Sequence, residues 1–396
     1  MNARPTVAHL MRGYLAPTET FIGNQIFSLT SYRPVILCHH RYPNPSYPAP
    51  SVYAATELLP RHQLLLDWLA YRFARRMTSA GVTALSRRAH AESVRLLHIH
   101  FLVDARYFLD LKRRLDLPAV VSVYGYDVSS FPRQFGGYGR RYLQPIWHEI
   151  EVFIAMSYDM KRDLARLGCP EDRIVVHFYG TPTARFAYPD RCYEQPEVVE
   201  ILSCGSLEVK KAQHLVLEAL HRLKQSDPNL PAFHVTFAGD GPMRGSLEAM
   251  VREYGWHDRV TFAGHVPHHE NRLVELYRQA DVFTLPSITV AGDKEGIPTV
   301  LAEAMASGLP CVTTYHAGIP ELVEPDQHGL LVQEGDTDGL AAAFGRLLRD
   351  PTLRARLGRA GAEKARRACD LPARTTNLER IYAAALEGRA AAQLRV

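Results

Sequence analysis

Residues 282–314 read VFTLPSITVAGDKEGIPTVLAEAMASGLPCVTT, and this stretch decides the fold. Val282–Leu285 is a short apolar run of the kind a buried parallel strand uses, and Pro310–Thr314 is a second. Between them Thr299–Ser307 reads as a helix. Pro298 suits the first helical position, and Gly308 with Pro310 supplies a stop. Strand, helix and strand in this order are the unit of a parallel sheet covered by helices.

The rhythm continues in both directions. Upstream, strand-like runs Thr6–Met11, Arg33–Cys38, Leu96–Phe101, Ala119–Tyr124 and Val152–Met156 alternate with helical stretches. Those helices are Thr20–Leu29, His62–His90, Ala105–Leu115, Gly139–Ile150 and Met160–Leu167; in His62–His90 the apolar positions are Leu65, Trp68, Leu69 and Phe73, and Trp68, Tyr71 and Phe73 read as core before shallow contact with a membrane. After the polar stretch Pro189–Pro196 the pattern restarts with strands Val199–Cys204, Phe233–Ala238 and Arg259–Ala263. Helices Ala212–Lys224, Met243–Tyr254 and Glu270–Gln279 interleave with them. The restart predicts two α/β domains, residues 1–187 and 195–373, and a C-terminal helix at 374–396 packing back across the hinge. Two such sheets face each other across a cleft, and ligands of open parallel sheets bind beyond the carboxyl ends of the strands.

Composition agrees with this class. The 396 residues suit two or three domains, and 46% hydrophobic with 22% charged residues exclude a disordered chain. No apolar run approaches the ~18 residues a membrane span needs. The short run at Val7 and Ala8 is broken by His9 and Arg12, which is not a signal-peptide pattern. Six cysteines without CxxC spacing read as reduced thiols of a cytoplasmic protein. Net charge is +4, unevenly spread: residues 1–190 carry 23 basic against 15 acidic side chains, and residues 191–396 carry 23 against 27. No nucleic-acid motif accompanies the basic half, which faces solvent or an anionic surface or ligand. Its densest part, residues 61–114, holds eleven Arg or Lys against four acids, and so suggests peripheral contact with the inner face of the cell membrane.

Residues just after strands carry the candidate chemistry. The helix beginning near Thr299 presents free N–H groups, a ready phosphate site. Glu295 precedes it and Glu303 lies one turn in; carboxylates there accept from hydroxyls, and phosphate with paired hydroxyls describes a sugar nucleotide. The competing reading is a surface Glu before a helix and a second on its solvent face. In Gly205-Ser-Leu-Glu-Val-Lys-Lys211, Lys211 or Lys210 offers a point charge to a diphosphate. Gly239-Asp-Gly241 resembles a nucleotide turn, but no acid closes the next strand, which excludes a dehydrogenase. His265, His268 and His269 lack a carboxylate or Cys partner in sequence and read as loop residues, so no metal site is expected. In the first half, His98 and His100 alternate on one strand face, and Gly13 suits close approach of backbone to a ligand. Thr20 is a candidate helix cap.

The run EGIPTVLAEAMASGLPCVTTYHAGIPELV at 295–323, followed by HGLLV at 328–332, closely resembles the C-terminal signature of the family-four retaining glycosyltransferases. These have the GT-B architecture of two Rossmann-like domains. Within the family the stretch looks most like enzymes of exopolysaccharide and colanic-acid assembly. PTETFIGNQI at 17–26, HIHF at 98–101, YGYDV at 124–128 and YGTPTARF at 179–186 fall where that family has its own motifs. The resemblance implies an N-terminal acceptor domain and a donor domain taking a UDP- or GDP-sugar, with no cofactor and no metal. It implies that Glu295 binds donor-sugar hydroxyls and Glu303 the ribose. It also places Gly205, Gly241, Gly296, Ile297, Pro298 and Thr299 at the donor, and Val266 where the base docks. Lys211 falls on a diphosphate lysine, whereas Ser206 stands where the family has arginine. His100 and Asp127 match cleft residues; Tyr124 replaces a histidine that touches the donor sugar; Thr18, Glu19 and Thr20 match the loop at the cleft floor. The implied reaction is retaining hexosyl transfer to a hydroxyl of a lipid-linked or growing glycan, or of a small aminocyclitol in antibiotic assembly. A non-catalytic sugar-binding relative is the alternative of another kind.

Overall fold

The computed structural model describes residues 4–14, 19–42 and 51–389. The chain divides into two compact units, residues 1–180 with 371–396, and residues 181–370. The sequence puts the change of domain at 187–195 and at 373. In the structure the tract 181–196 is part of the second unit, fastened by Arg191: its guanidinium donates to the carbonyls of Ser307 and Tyr277, both at 2.6 Å, and of Ala280. Thr181 pairs with Asp370 where the chain passes between units the second time.

The first unit is a seven-stranded sheet in the order β3-β2-β1-β4-β5-β6-β7. Its strands are β1 Thr6–Tyr14, β2 Arg33–Arg41, β3 Val52–Ala54, β4 Val94–His100, β5 Ala119–Ser122, β6 Val152–Ala155 and β7 Ile174–Val176. The second is six-stranded, β10-β9-β8-β11-β12-β13, built from β8 Val198–Cys204, β9 Ala232–Ala238, β10 Val260–Gly264, β11 Val282–Leu285, β12 Cys311–Thr314 and β13 Gly329–Val332. Every pairing is parallel. These are the two Rossmann-like sheets of the GT-B class. Each sheet reverses its strand order once, between β1 and β4 and between β8 and β11, and the loops that leave those strands diverge to open a crevice.

Three strands escape a reading of pattern: β3, β7 and β13 are only three or four residues long and lie at or next to sheet edges. The stretch His62–His90 is not one helix. It runs as helix Leu64–Leu69, a wider turn Ala70–Ala74, a stop at left-handed Arg75 and a fresh helix Ser79–Ala91 capped by Thr78. Trp68 and Phe73, read as core, are exposed.

The second sheet is buried on both faces. Val199, Phe233, Val235 and Phe237 meet helix Gln213–Ser226 on one side, while Leu202, Phe283 and Leu285 meet helix Thr299–Ala306 on the other. In the first unit the last helix, Leu371–Leu386, lays Leu378, Ile381 and Tyr382 against Val7, Leu96, Val120 and Val152. Glu379 pins it there. Its carboxylate accepts from the amides of Thr30 and Ser31 and from the Ser31 hydroxyl, all at 2.7 Å.

Burial raises the Glu379 pKa, but these donors outweigh it and hold it below its ordinary value. A depressed carboxylate stabilises the fold above its unfolded pKa, and that contribution is lost as pH falls through the folded pKa. Glu379→Gln should therefore cost ~1.5–3 kcal/mol at pH 7. The gap between parent and variant in thermal unfolding should close as pH is lowered below the usual glutamate range.

Candidate functional site

In the second unit the loops after β8 and β11 meet. At Gly239 a side chain would put its Cβ 1.9 Å from the Gly205 carbonyl oxygen, so that glycine is required. The chain then makes a short turn, Val209–Lys211, before helix Gln213–Ser226. Lys211 Nζ donates to Glu295 Oε2 at 2.7 Å, with only 15% and 8% of the two side chains exposed. Lys210 donates to Asp293 Oδ2 at 3.1 Å, and its carbonyl accepts from the Ile288 amide at 2.8 Å. Burial lowers the Lys210 pKa, but Glu295, Asp293 and Glu208 outweigh it and hold it above its ordinary value. Ser206 contributes its main chain, its carbonyl accepting from Gln213 Nε2 at 3.0 Å.

Two residues that the sequence reading missed hold Glu295 in place. The Glu295 amide donates to His316 Nε2 at 3.0 Å, and the fully buried His316 donates from Nδ1 to Glu334 Oε1 at 2.6 Å. The other Glu334 oxygen accepts from the Thr289 amide at 2.7 Å. The arrangement fixes the neutral Nδ1–H tautomer of His316 and ties both ends of the 289–295 loop to one imidazole–carboxylate pair. His316 stands in the quoted signature, yet no spacing in the sequence marks it as the partner of an amide 21 residues upstream.

Helix Thr299–Ala306 starts without a side-chain cap, and Pro298 is its extended N-cap residue rather than its first helical one. Its first N–H groups therefore have no side-chain acceptor. Glu303 does not lie on a solvent face: it is 2% exposed, accepting from Tyr277 Oη at 2.8 Å and from His268 Nε2 at 3.0 Å. His268 thus has the carboxylate partner that its sequence context does not show. Val266 and Ile297, half-buried, pack against the same apolar cluster. Gly241 passes so close to Leu207 that a Cβ there would lie 2.6 Å from the Leu207 carbonyl oxygen. Gly296 and Thr299 are half-buried beside Pro298.

The first unit has its own crevice, a cavity of about 220 Å³ where β1 and β4 part. Gly13, Glu19, Tyr71, Tyr126 and Asp127 line it together with Arg12. Asp104 grips Arg12 twice, Oδ1 accepting from Nε at 2.5 Å and Oδ2 from the amide at 2.7 Å. A Cβ on Gly13 would lie 2.5 Å from the Tyr42 ring. Asp127 is fully buried, accepting from the Tyr124 amide at 3.1 Å, and burial raises its pKa to about 7 against the opposing pull of nearby amides. His100 is enclosed: its Nδ1 meets Tyr124 Oη at 2.8 Å and its Nε2 meets His9 Nδ1 at 3.1 Å. It sits beneath Tyr124 and does not line the cavity. Burial pushes the pKa of His9 down to about 3 and that of His98 and His100 well below the ordinary value, so this stack is neutral. Glu19, not Thr20, is the N-cap residue of helix Thr20–Phe27. Thr18 lies outside the described residues.

Residues 194–364 match the family described as Glycosyl transferases group 1, and residues 31–185 match Glycosyltransferase Family 4. A putative colanic acid biosynthesis glycosyltransferase of Escherichia coli, WcaL, is 37% identical over 228 residues, 57% of this chain and 54% of that protein. The amylovoran biosynthesis glycosyltransferase AmsK of Erwinia amylovora is 32% identical over 269 residues, 67% of this chain and 64% of that one. The matches thus span about half to two thirds of these curated relatives. HepE of Anabaena in complex with UDP shares the fold at a TM-score of 0.75 and 16% identity, covering 96% of this chain and all of that one. The chain belongs to the family-four glycosyltransferases of GT-B fold.

The Glu295–His316–Glu334 contacts make a prediction about the loop alone. His316→Ala removes a buried acceptor and strands the Glu295 amide, at ~1–3 kcal/mol. Amides of residues 286–298 should exchange faster with solvent deuterium, while those of β9 and β10 should be unchanged.

Proposed function

We propose that the protein is a retaining, metal-independent hexosyltransferase that moves a sugar from UDP or GDP to an acceptor hydroxyl of a polysaccharide or lipid-linked glycan. The Lys211–Glu295 pair beside an uncapped helix start carries this reading. One group suits a diphosphate, the other suits sugar hydroxyls, and the helix N–H groups suit a second phosphate oxygen. Glu303, set deeper, is the ribose acceptor, and Val266 with Gly241 leaves backbone for the base. Relatives named for colanic acid and amylovoran biosynthesis support the glycan acceptor, and HepE, bound to UDP, supports the donor class.

In the proposed reaction the bond from the anomeric carbon to the diphosphate breaks while the acceptor hydroxyl approaches the same face. The hydroxyl proton passes to the departing phosphate oxygen. Charge grows on that diphosphate, where Lys211 and the helix start at Thr299 stabilise it without reorganising. In the first unit the cavity is the acceptor pocket: Tyr71 and Tyr126 offer ring faces, and Asp127 and Glu19 offer hydroxyl acceptors. His100 is a positioning residue that holds Tyr124. The lipid-linked class of acceptor places the work at the cytoplasmic face of the membrane. Glu19 and Asp127 also favour a second reading, a small cationic aminocyclitol acceptor, but burial raises the Asp127 pKa and so disfavours the charged form that a cation would pair with.

Lys211→Ala should cost ~2–4 kcal/mol in kcat/KM; turnover within twofold of the parent would reject its place at the diphosphate. By calorimetry with UDP or GDP, Glu303→Gln should weaken binding by ~1.5–3 kcal/mol and Glu295→Gln should leave it nearly intact. Equal losses would show the two roles to be misassigned. Transfer should also persist in EDTA, and chelator loss rescued by Mg²⁺ or Mn²⁺ would rule out the metal-free mechanism.

A further inference from the structure

One short stretch of the first unit turns its large apolar side chains outward. Leu65 is 66% exposed, Leu66 64%, Trp68 53% and Phe73 71%, with Leu69 beside them. They lie on helix Leu64–Leu69 and the wider turn Ala70–Ala74. The face turned to the protein is polar instead. Asp67 is 2% exposed and accepts from His39 Nε2 at 2.7 Å and Thr78 Oγ1 at 2.8 Å. Tyr71 stacks flat on the His39 ring, centroids 4.2 Å apart. Burying a carboxylate while exposing leucines opposes the ordinary partition of side chains, so the fold holds this segment inside out through specific bonds. Contiguous exposed apolar groups of this kind mark a surface that meets something.

Charge says what it meets. Arg61, Arg72 and Arg76 are exposed around the apolar group, and the one acid of residues 61–76 is the buried Asp67. Arg72 lies over the Phe73 ring at 5.7 Å, and Arg76 reaches Asp110 at 3.2 Å. The eleven residues 64–74 extend roughly 16 Å at 1.5 Å each, too short to cross a bilayer and suited to lying in its surface. Leucine and phenylalanine fit the acyl boundary, and tryptophan with arginine fits the headgroup level.

We propose that residues 61–76 are a membrane-docking element: Leu65, Leu66, Trp68, Leu69 and Phe73 enter the interface of an anionic bilayer, and Arg61, Arg72 and Arg76 contact its phosphates. Tyr71 lines the first-unit cavity from this same segment, so docking brings that cavity to the membrane. This purpose rests on the reading of a lipid-linked acceptor; the docking itself does not.

The test uses the full chain and vesicles of phosphatidylcholine with and without phosphatidylglycerol. Of the three tryptophans, Trp147 and Trp256 are buried, so a change of emission on vesicle contact reports Trp68. The protein should sediment with the anionic vesicles, less so at high salt, with blue-shifted emission quenched by brominated lipid. Leu65→Ser with Leu66→Ser and Phe73→Ser should cut the bound fraction roughly tenfold. Arg72→Glu with Arg76→Glu should remove its salt-sensitive part. UDP binding and the far-UV circular dichroism should be unchanged in both variants, which shows that both units fold. Parent protein left in the supernatant overturns the proposal, as does a serine variant that sediments like the parent. So does a parent dimer that the serines dissociate without any vesicle binding, since the patch then meets a second copy. Vesicle binding in a protein that binds neither UDP nor GDP would sink the transferase reading and leave the docking intact.

Discussion

The Lys211–Glu295 ion pair is the contact on which the second unit's site depends. It joins two loops that would otherwise lean apart, because β8 and β11 are neighbours across the reversal of strand order. Both side chains are largely shielded, and a shielded charge that loses its partner is far more costly than one in water. Under the proposed reading a diphosphate and a sugar take over the two ends of this pair. The pair therefore keeps the charges shielded until the donor arrives. His316 and Glu334 serve the same end from behind, by fixing the Glu295 backbone.

The first unit solves the equivalent problem with Arg12 and Asp104. The carboxylate takes both the guanidinium and the main-chain amide of the same residue, which locks the end of β1 at the mouth of its cavity. Below it the histidine stack of His9, His98 and His100 is kept neutral by burial, so it adds hydrogen bonds without adding charge. Asp67 extends the pattern to the surface segment: a buried carboxylate, fully bonded, dictates which side of a helix faces out. At Asp104 and at Asp67 a satisfied carboxylate fixes geometry that apolar packing alone leaves free.

Much of this was legible in the sequence because strands buried on both faces must be continuous apolar runs and helices between them must end on breakers. That rule located ten of the strands and the turn at Glu295–Thr299. It failed for β3, β7 and β13, short strands at the sheet edges, where the apolar run is not continuous or not set off from its surroundings. It failed again at Leu65–Phe73, where apolar spacing is the same whether the stripe faces the core or the solvent. Asp67 decides between them, and its partners His39 and Thr78 are visible only in three dimensions.

The sequence by itself determined the α/β class and the two-sheet plan, since each follows from local pattern; Lys211, Glu295 and Glu303 were singled out by a family resemblance, and their roles belong to the proposal. The tertiary structure alone decided which groups those residues touch. Glu303 meets His268 and Tyr277, Glu295 rests on His316, and His100 lies under Tyr124 and not in the cavity. The physical reason is that strand order, not chain order, sets neighbours in a parallel sheet. Residues 84 apart, such as Lys211 and Glu295, become partners only when β11 is laid beside β8.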